Sequence, residues 1–144
     1  MGVYTRFKRA PDGLRRLVEL LETTPGSRRQ KMIDVGMVED PEYTKIALQY
    51  MFSFNDIMGL PDSELAEVIA ETSPQLVGLA IHSADEEIKD KFFRMAPIKL
   101  LGAIREAVEL PATALQIGSA QVKMIESARK LEKKGFVKTR RIPV

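Results

Sequence analysis

With 144 residues, 44% hydrophobic and 29% charged, the chain has enough apolar material for a folded core and does not belong to the disordered class. It has no cysteine, no tryptophan and one histidine, His82, which excludes disulfides, thiolate catalysis and a multi-histidine metal centre within one chain and argues against base-stacking platforms. The net charge of +2 hides an asymmetry that suits docking on charged partners: residues 1–31 carry eight basic and three acidic side chains, residues 123–144 eight and two, and residues 32–122 six and fifteen.

The apolar spacing is helical from end to end. Residues 1–12 read as a basic arm or linker. Leu14, Leu17, Val18 and Leu21 follow the i, i+3, i+4, i+7 pattern of an amphipathic helix. Pro25-Gly26 stops it, and Ser27 is placed to cap a second helix over Ser27 to Gly36. Asp40-Pro41 is a start signal, with Asp as N-cap and Pro at the first helical position. The third helix carries Tyr43, Ile46, Ala47 and Tyr50 along one side. Turn-forming Asn55-Asp56, Gly59 and Pro61 surround Met51-Phe52-Ser53-Phe54, so a junction between two helical units is expected over residues 51–61.

The second unit, residues 62–137, opens with Asp62 as N-cap and an apolar stripe at Leu65, Val68 and Ile69. Ser73-Pro74 repeats the cap-then-proline signal. Leu76 to Ile81 is apolar on all sides, as expected of a central buried helix. Ser83 and Glu86 fit a capping box, and Ile88, Phe92 and Phe93 face inward from the helix that follows. Pro97 opens a helix to Leu110, with Leu100, Leu101, Ile104 and Val108 at core spacing and Lys99, Arg105, Glu106 and Glu109 on the other face. Pro111 to Gln116 reads as a loop. A long helix over Ser119 to Lys134 buries Val122, Ile125 and Leu131, with Gly135 as its stop. Phe136 to Val144 is expected to be extended, residues 138–144 forming a basic tail.

No glycine-rich phosphate loop or catalytic constellation is present. His82, Ser83 and Asp85 lie together at a helix end, and Asp85, Glu86 and Glu87 favour the dipole of a first turn. No apolar run approaches the ~20 residues that a membrane helix needs, and Met1 to Phe7 lacks the apolar stretch of a secretory leader. A non-enzyme without cofactor or metal is expected.

Three runs resemble the C-terminal domain of the FliG flagellar motor switch family. The first is Glu39-Asp40-Pro41-Glu42 followed by Met51-Phe52-Ser53-Phe54-Asn55-Asp56-Ile57. The second is Leu79 to Ala84 with Glu86 to Arg94. The third is Arg129-Lys130-Leu131-Glu132-Lys133-Lys134-Gly135. The resemblance covers roughly residues 13–137. It implies an all-α fold: a small armadillo-like unit over 13–50, a Met-Phe-x-Phe hinge at Met51, Phe52, Ser53 and Phe54, then a six-helix unit. The family's N-terminal domain and most of its middle domain have no counterpart here, which implies a truncated form or a short relative.

The resemblance also implies a role as a rotor and switch component in the cytoplasm, peripheral to the inner membrane at the flagellar basal body. Torque would pass through charge contacts with a stator cytoplasmic loop, and rotation would reverse through reorientation at the hinge. The family's basic positions fall on His82 and Lys99, its paired acidic positions on Glu106 and Ala107, and its last basic position near Thr113, with Arg105 beside the acid. Stator-contact candidates are therefore His82, Lys99, Arg105 and Glu106. Other rotor proteins are implied partners, as is ring self-association by stacking of helical units, to which Ile46, Leu48 and Tyr50 would contribute. Two further readings stand beside this one. One is a scaffold of the same fold in a non-rotary assembly. The other, disfavoured by the lack of a groove-reading motif, is nucleic-acid binding through Arg6, Lys8, Arg9, Lys138, Arg140 and Arg141.

Overall fold

Helix signals dominate the sequence, and a computed structural model describing residues 2–143 is all-helical, with ten helices and no strand among the described residues. They fall into two units. One runs up to Phe52 and takes in the chain again from Arg140 onward; the other is Ser53–Thr139. The division lies inside the 51–61 segment expected as a junction, between its second and third residues.

The first unit contains α1 (Val3–Arg9), α2 (Gly13–Thr23), α3 (Gly26–Glu39) and α4 (Pro41–Tyr50). Leu17, Val18 and Leu21 of α2 form its core with Tyr4, Tyr43 and Ala47. The expected arm over residues 1–12 is corrected here. Tyr4 and Phe7, three apart, give that segment an apolar edge beneath its basic residues. Tyr4 is 2% exposed, its hydroxyl donates to the Met32 carbonyl, and its N–H donates to Glu39 at 3.0 Å. The expected extended basic tail is corrected too: the chain turns at Thr139 and Arg140, and Ile142 is 1% exposed within the same core. α3 starts at Gly26 after Pro25, with no cap from Ser27, and continues past Gly36 to Glu39. Asp40 caps α4 as expected: its carboxylate accepts the Tyr43 N–H at 3.2 Å and the Lys8 ammonium at 3.1 Å.

The second unit contains α5 (Phe54–Met58), α6 (Asp62–Glu71), α7 (Pro74–Ala80), α8 (Glu86–Met95), α9 (Ile98–Glu109) and α10 (Ala114–Lys133). Short and apolar, α7 lies against α9 and α10, and Val77, Ala80 and Ile81 are buried. A side chain at Gly78 would put its first carbon 2.5 Å from the Ile104 carbonyl oxygen and from Ala107 Cβ, so glycine sets how closely α7 meets α9. Lys91 crosses from α8 to the end of α5, donating to the carbonyls of Met58 (2.7 Å) and Leu60 (3.3 Å) left open there. The charged run at the end of α10 divides by burial. Arg129 and Glu132 form a buried ion pair at 3.3 Å, Leu131 is in the core, and Lys130 pairs with Glu71 at 2.6 Å. Gly135, at φ +86, ends the helix. Its N–H bonds to Glu132 and the Phe136 N–H to Leu131, the paired pattern of a left-handed C-terminal stop.

Four local expectations for this unit are corrected. Pro61 rather than Asp62 occupies the cap position of α6. Ser73 precedes Pro74 but makes no cap bond; its hydroxyl instead meets Gln75 Oε1 at 2.9 Å. Ser83 and Glu86 form no capping box, because residues 81–84 close a turn (Ala84 N–H to Ile81 carbonyl, 3.0 Å) and α8 begins only after Asp85. Finally, α10 begins at Ala114, five residues early, because Thr113 and Gln116 cap each other's backbone at 3.1 and 2.8 Å.

Two outcomes are expected. Gly78→Ala should lower unfolding stability by about 1–3 kcal/mol, since the obstructing atoms include backbone; denaturant titration reads this as a lower midpoint at unchanged slope. Asp40 is held below the ordinary 3.8 first by the Tyr43 N–H and then by Lys8. A carboxyl that titrates lower folded than unfolded contributes fully above its unfolded value and loses that contribution as pH falls through the depressed folded value. Asp40→Asn should therefore flatten the fall of melting temperature below about pH 4.

Candidate functional site

α9 presents its charges because its apolar edge is occupied. Ile104, Ala107 and Val108 are buried, and Ile104 and Ala107 lie against Gly78 of α7. At 100° per residue the opposite edge carries Lys99, Gly102, Glu106 and Glu109, all exposed. Lys99 and Glu106 are seven residues apart, about 10 Å along the axis, and share a face. Among the described residues neither has an opposite charge within 4 Å. Between them, Gly102 leaves open space with no atom within 4 Å of a side-chain position.

The order of these charges opposes the helix dipole. No acid lies in the first turn of α9, where Lys99 sits, and no base lies in its last turn, where Glu106 and Glu109 sit. α8 shows the favourable order, with Glu86 and Glu87 first and Arg94 last. Placed against the dipole, such a charge costs about 0.3–1 kcal/mol at low salt, so helix stability does not account for the ridge on α9.

The other candidates separate. Arg105 leaves the ridge on the α8 side, its guanidinium 5.0 Å from the centre of the Phe93 ring. His82 sits at the far end of α9. Its Nε2 is 2.8 Å from the Leu110 carbonyl, which accepts, so Nε2 carries a hydrogen there; Nδ1 lies 3.4 Å from the Ser83 hydroxyl. His82 thus fastens the turn after α7 to the end of α9. Ala107 is 8% exposed in the α7–α9 contact. Thr113 caps α10. The structure brings Lys99 and Glu106 together and leaves Arg105 at the margin and His82 at the end.

The Met51 to Phe54 run divides in two. Met51 packs on the core of the first unit, and the Phe52 N–H donates to the Glu22 carboxylate at 2.8 Å. Ser53 and Asp56 form a capping box at the start of α5, and the Phe54 ring lies 6.3 Å from Phe92, centre to centre. Glu22, 1% exposed, escaped the sequence reading. Its signal was an acid four residues after Val18 on the apolar face of α2. Gly102 escaped as well, because an exposed glycine within a helix carries no pattern of its own. Among the described residues, no group of three His, Cys, Asp or Glu side chains is placed to hold a metal, and no helix is long and apolar enough to cross a membrane.

Comparison with known proteins agrees with this architecture. The FliG C-terminal domain family model matches residues 37–138. The flagellar motor switch protein FliG of Thermotoga maritima is 26% identical over 138 residues, covering 94% of this chain and 41% of that protein. That of Bacillus subtilis is 24% identical over 138 residues, with the same two coverages. The chain thus spans about two fifths of the length of these curated relatives. A crystal structure of FliG residues 86–343 from H. pylori superposes with a TM-score of 0.65 at 20% identity, covering 95% of this chain and 66% of that one. Full-length FliG from Aquifex aeolicus superposes at 0.54 with 26% identity, covering 88% of this chain and 40% of that one. With its family match over most of its length, this chain belongs to the FliG C-terminal domain family.

Proposed function

We propose that the chain works as a flagellar motor switch component at the cytoplasmic side of the basal body, taking force from a charged stator loop along the Lys99–Glu106 ridge of α9. The observation that carries this reading is the ridge itself: two opposite charges on one face, unpaired with each other, set against the helix dipole and separated by the bare surface of Gly102. Exposed charges of this kind contribute little to folding but steer and register a charged partner. Arg105 and His82 flank the ridge as secondary contacts. Met51, Phe52, Ser53 and Phe54 act as the joint through which the unit bearing the ridge reorients when rotation reverses. The first unit supports ring assembly by stacking: Val35, Met37 and Val38 of α3 and Ile46 of α4 are exposed apolar side chains. Leu48 and Tyr50 are half-buried and contribute less.

One observation favours a second reading, a scaffold of this fold in a non-rotary assembly. The family's second acidic position falls on buried Ala107 and its last basic position near the helix cap Thr113, so this ridge carries fewer charges than the resemblance calls for.

Lys99→Glu and Glu106→Lys should each slow association with a stator-loop peptide about two- to fivefold at low salt, with the difference vanishing in high salt. Reversing the matching peptide charge should restore the rate, as surface plasmon resonance would read. Unchanged rates at low salt would remove the stator role. Intact swimming after deletion of the gene would favour the scaffold.

A further inference from the structure

The chain passes between its units twice, at Phe52–Ser53 and at Thr139–Arg140. At each passage, neighbouring residues are fastened to different units. Phe52 N–H is held by buried Glu22 in the first unit, and Ser53 N–H by Asp56 of α5 at 2.7 Å in the second. Thr139 donates to Glu64 of α6 from its N–H (3.3 Å) and its hydroxyl (2.7 Å). The guanidinium of Arg140 donates to the Gln49 carbonyl in the last turn of α4 at 2.6 Å. Two residues on, Ile142 is buried in the core of Tyr4, Leu17, Val18, Leu21, Tyr43 and Ala47. Arg140 sits at φ +53, a left-handed conformation that its own Cβ disfavours. The turn is therefore held by what lies on either side of it rather than by backbone preference.

We propose that residues 140–143 form a strap: by seating Ile142 in the first unit, the second passage converts a single-chain swivel at residues 52–53 into a two-stranded joint. The proposal rests on the reading of Met51 to Phe54 as a joint. One link between two bodies leaves them free to turn about any axis that sterics permit. Two links without slack leave rotation only about the line that joins them. Neither passage has slack, since adjacent residues are already committed to opposite sides. The strap is reversible because its anchor in the first unit is one apolar side chain, with the hydrogen bond of Arg140 to Gln49 beside it. Withdrawal of Ile142 is the step that releases the joint.

The chain contains no cysteine, so spin labels placed by Lys31→Cys on α3 and Ser119→Cys on α10, both exposed positions, report on the units in the full chain. Pulsed dipolar spectroscopy should give, in the labelled parent, a distance distribution spread only by turning about the line that joins the two passages, and one at least about twofold broader in Ile142→Asp, which puts a charge where the core admits none. A distribution equally broad in both overturns the strap and leaves the joint standing. A distribution equally narrow in both removes the joint and the strap together. Circular dichroism checks that helix content is retained. Should Ile142→Asp unfold the first unit, Ile142→Ala, which trims the anchor without burying charge, must still broaden the distribution in the same direction, and an unchanged width there overturns the proposal.

Discussion

The missing side chain at Gly78 governs the second unit. Because α7 offers only backbone there, α9 settles onto it with the Ile104 carbonyl and Ala107 at a distance no larger residue permits. That contact fixes which edge of α9 is inside, and by the 3.6-residue repeat it fixes which edge is outside. Lys99, Gly102, Glu106 and Glu109 are presented to solvent because Ile104, Ala107 and Val108 are not. It also explains why an alanine follows Glu106. The position after the surface acid points into the tightest contact of the unit, where a carboxylate would be buried beside a backbone carbonyl that repels it.

Within this frame, α8 and α9 are neighbours with opposite electrostatic character. α8 places acids at its start and a base at its end and so stabilises itself. α9 does the reverse. Two helices of similar length in one small unit are thus subject to different demands, and only the first is explained by folding. The same contrast appears in α10, where Arg129 and Glu132 are buried together while Lys130 reaches out to Glu71, which it holds below its ordinary carboxyl value. Charge in this protein has to be sorted by burial and direction before it says anything about partners.

Much of the architecture was legible in the residues. The apolar stripe of α2, the Asp40-Pro41 start of α4, the all-round apolar α7 and the glycine stop after α10 each combine a strong local signal with a matching tertiary demand. The misses have specific physical causes. α1 was hidden because three basic residues surround a two-residue apolar edge. α10 starts five residues before the expected Ser119: Thr113 and Gln116 have capping-box spacing, but Pro111 just before them is a loop signal. The Ser83–Glu86 spacing matches the pattern of a cap, but Ser83 lies inside the turn that residues 81–84 close, and Asp85 takes the position before α8. Of the ridge, the shared face of Lys99 and Glu106 follows from spacing alone. The departure of Arg105 toward Phe93 and the fastening of His82 to Leu110 depend on where α8 and α7 lie, which no single helix encodes.

The seating of Ile142 among residues of α1, α2 and α4 also has a consequence for biosynthesis. The second unit is continuous in sequence and can close as soon as it has left the ribosome, but the first cannot finish until the whole of the second has been made. At a translation rate of about 5–20 residues per second, the early helices wait roughly 4–17 s for their last core residue. For that interval Leu17, Leu21 and Tyr43 lack their final neighbour, and a nascent chain in that condition is a natural client for chaperones.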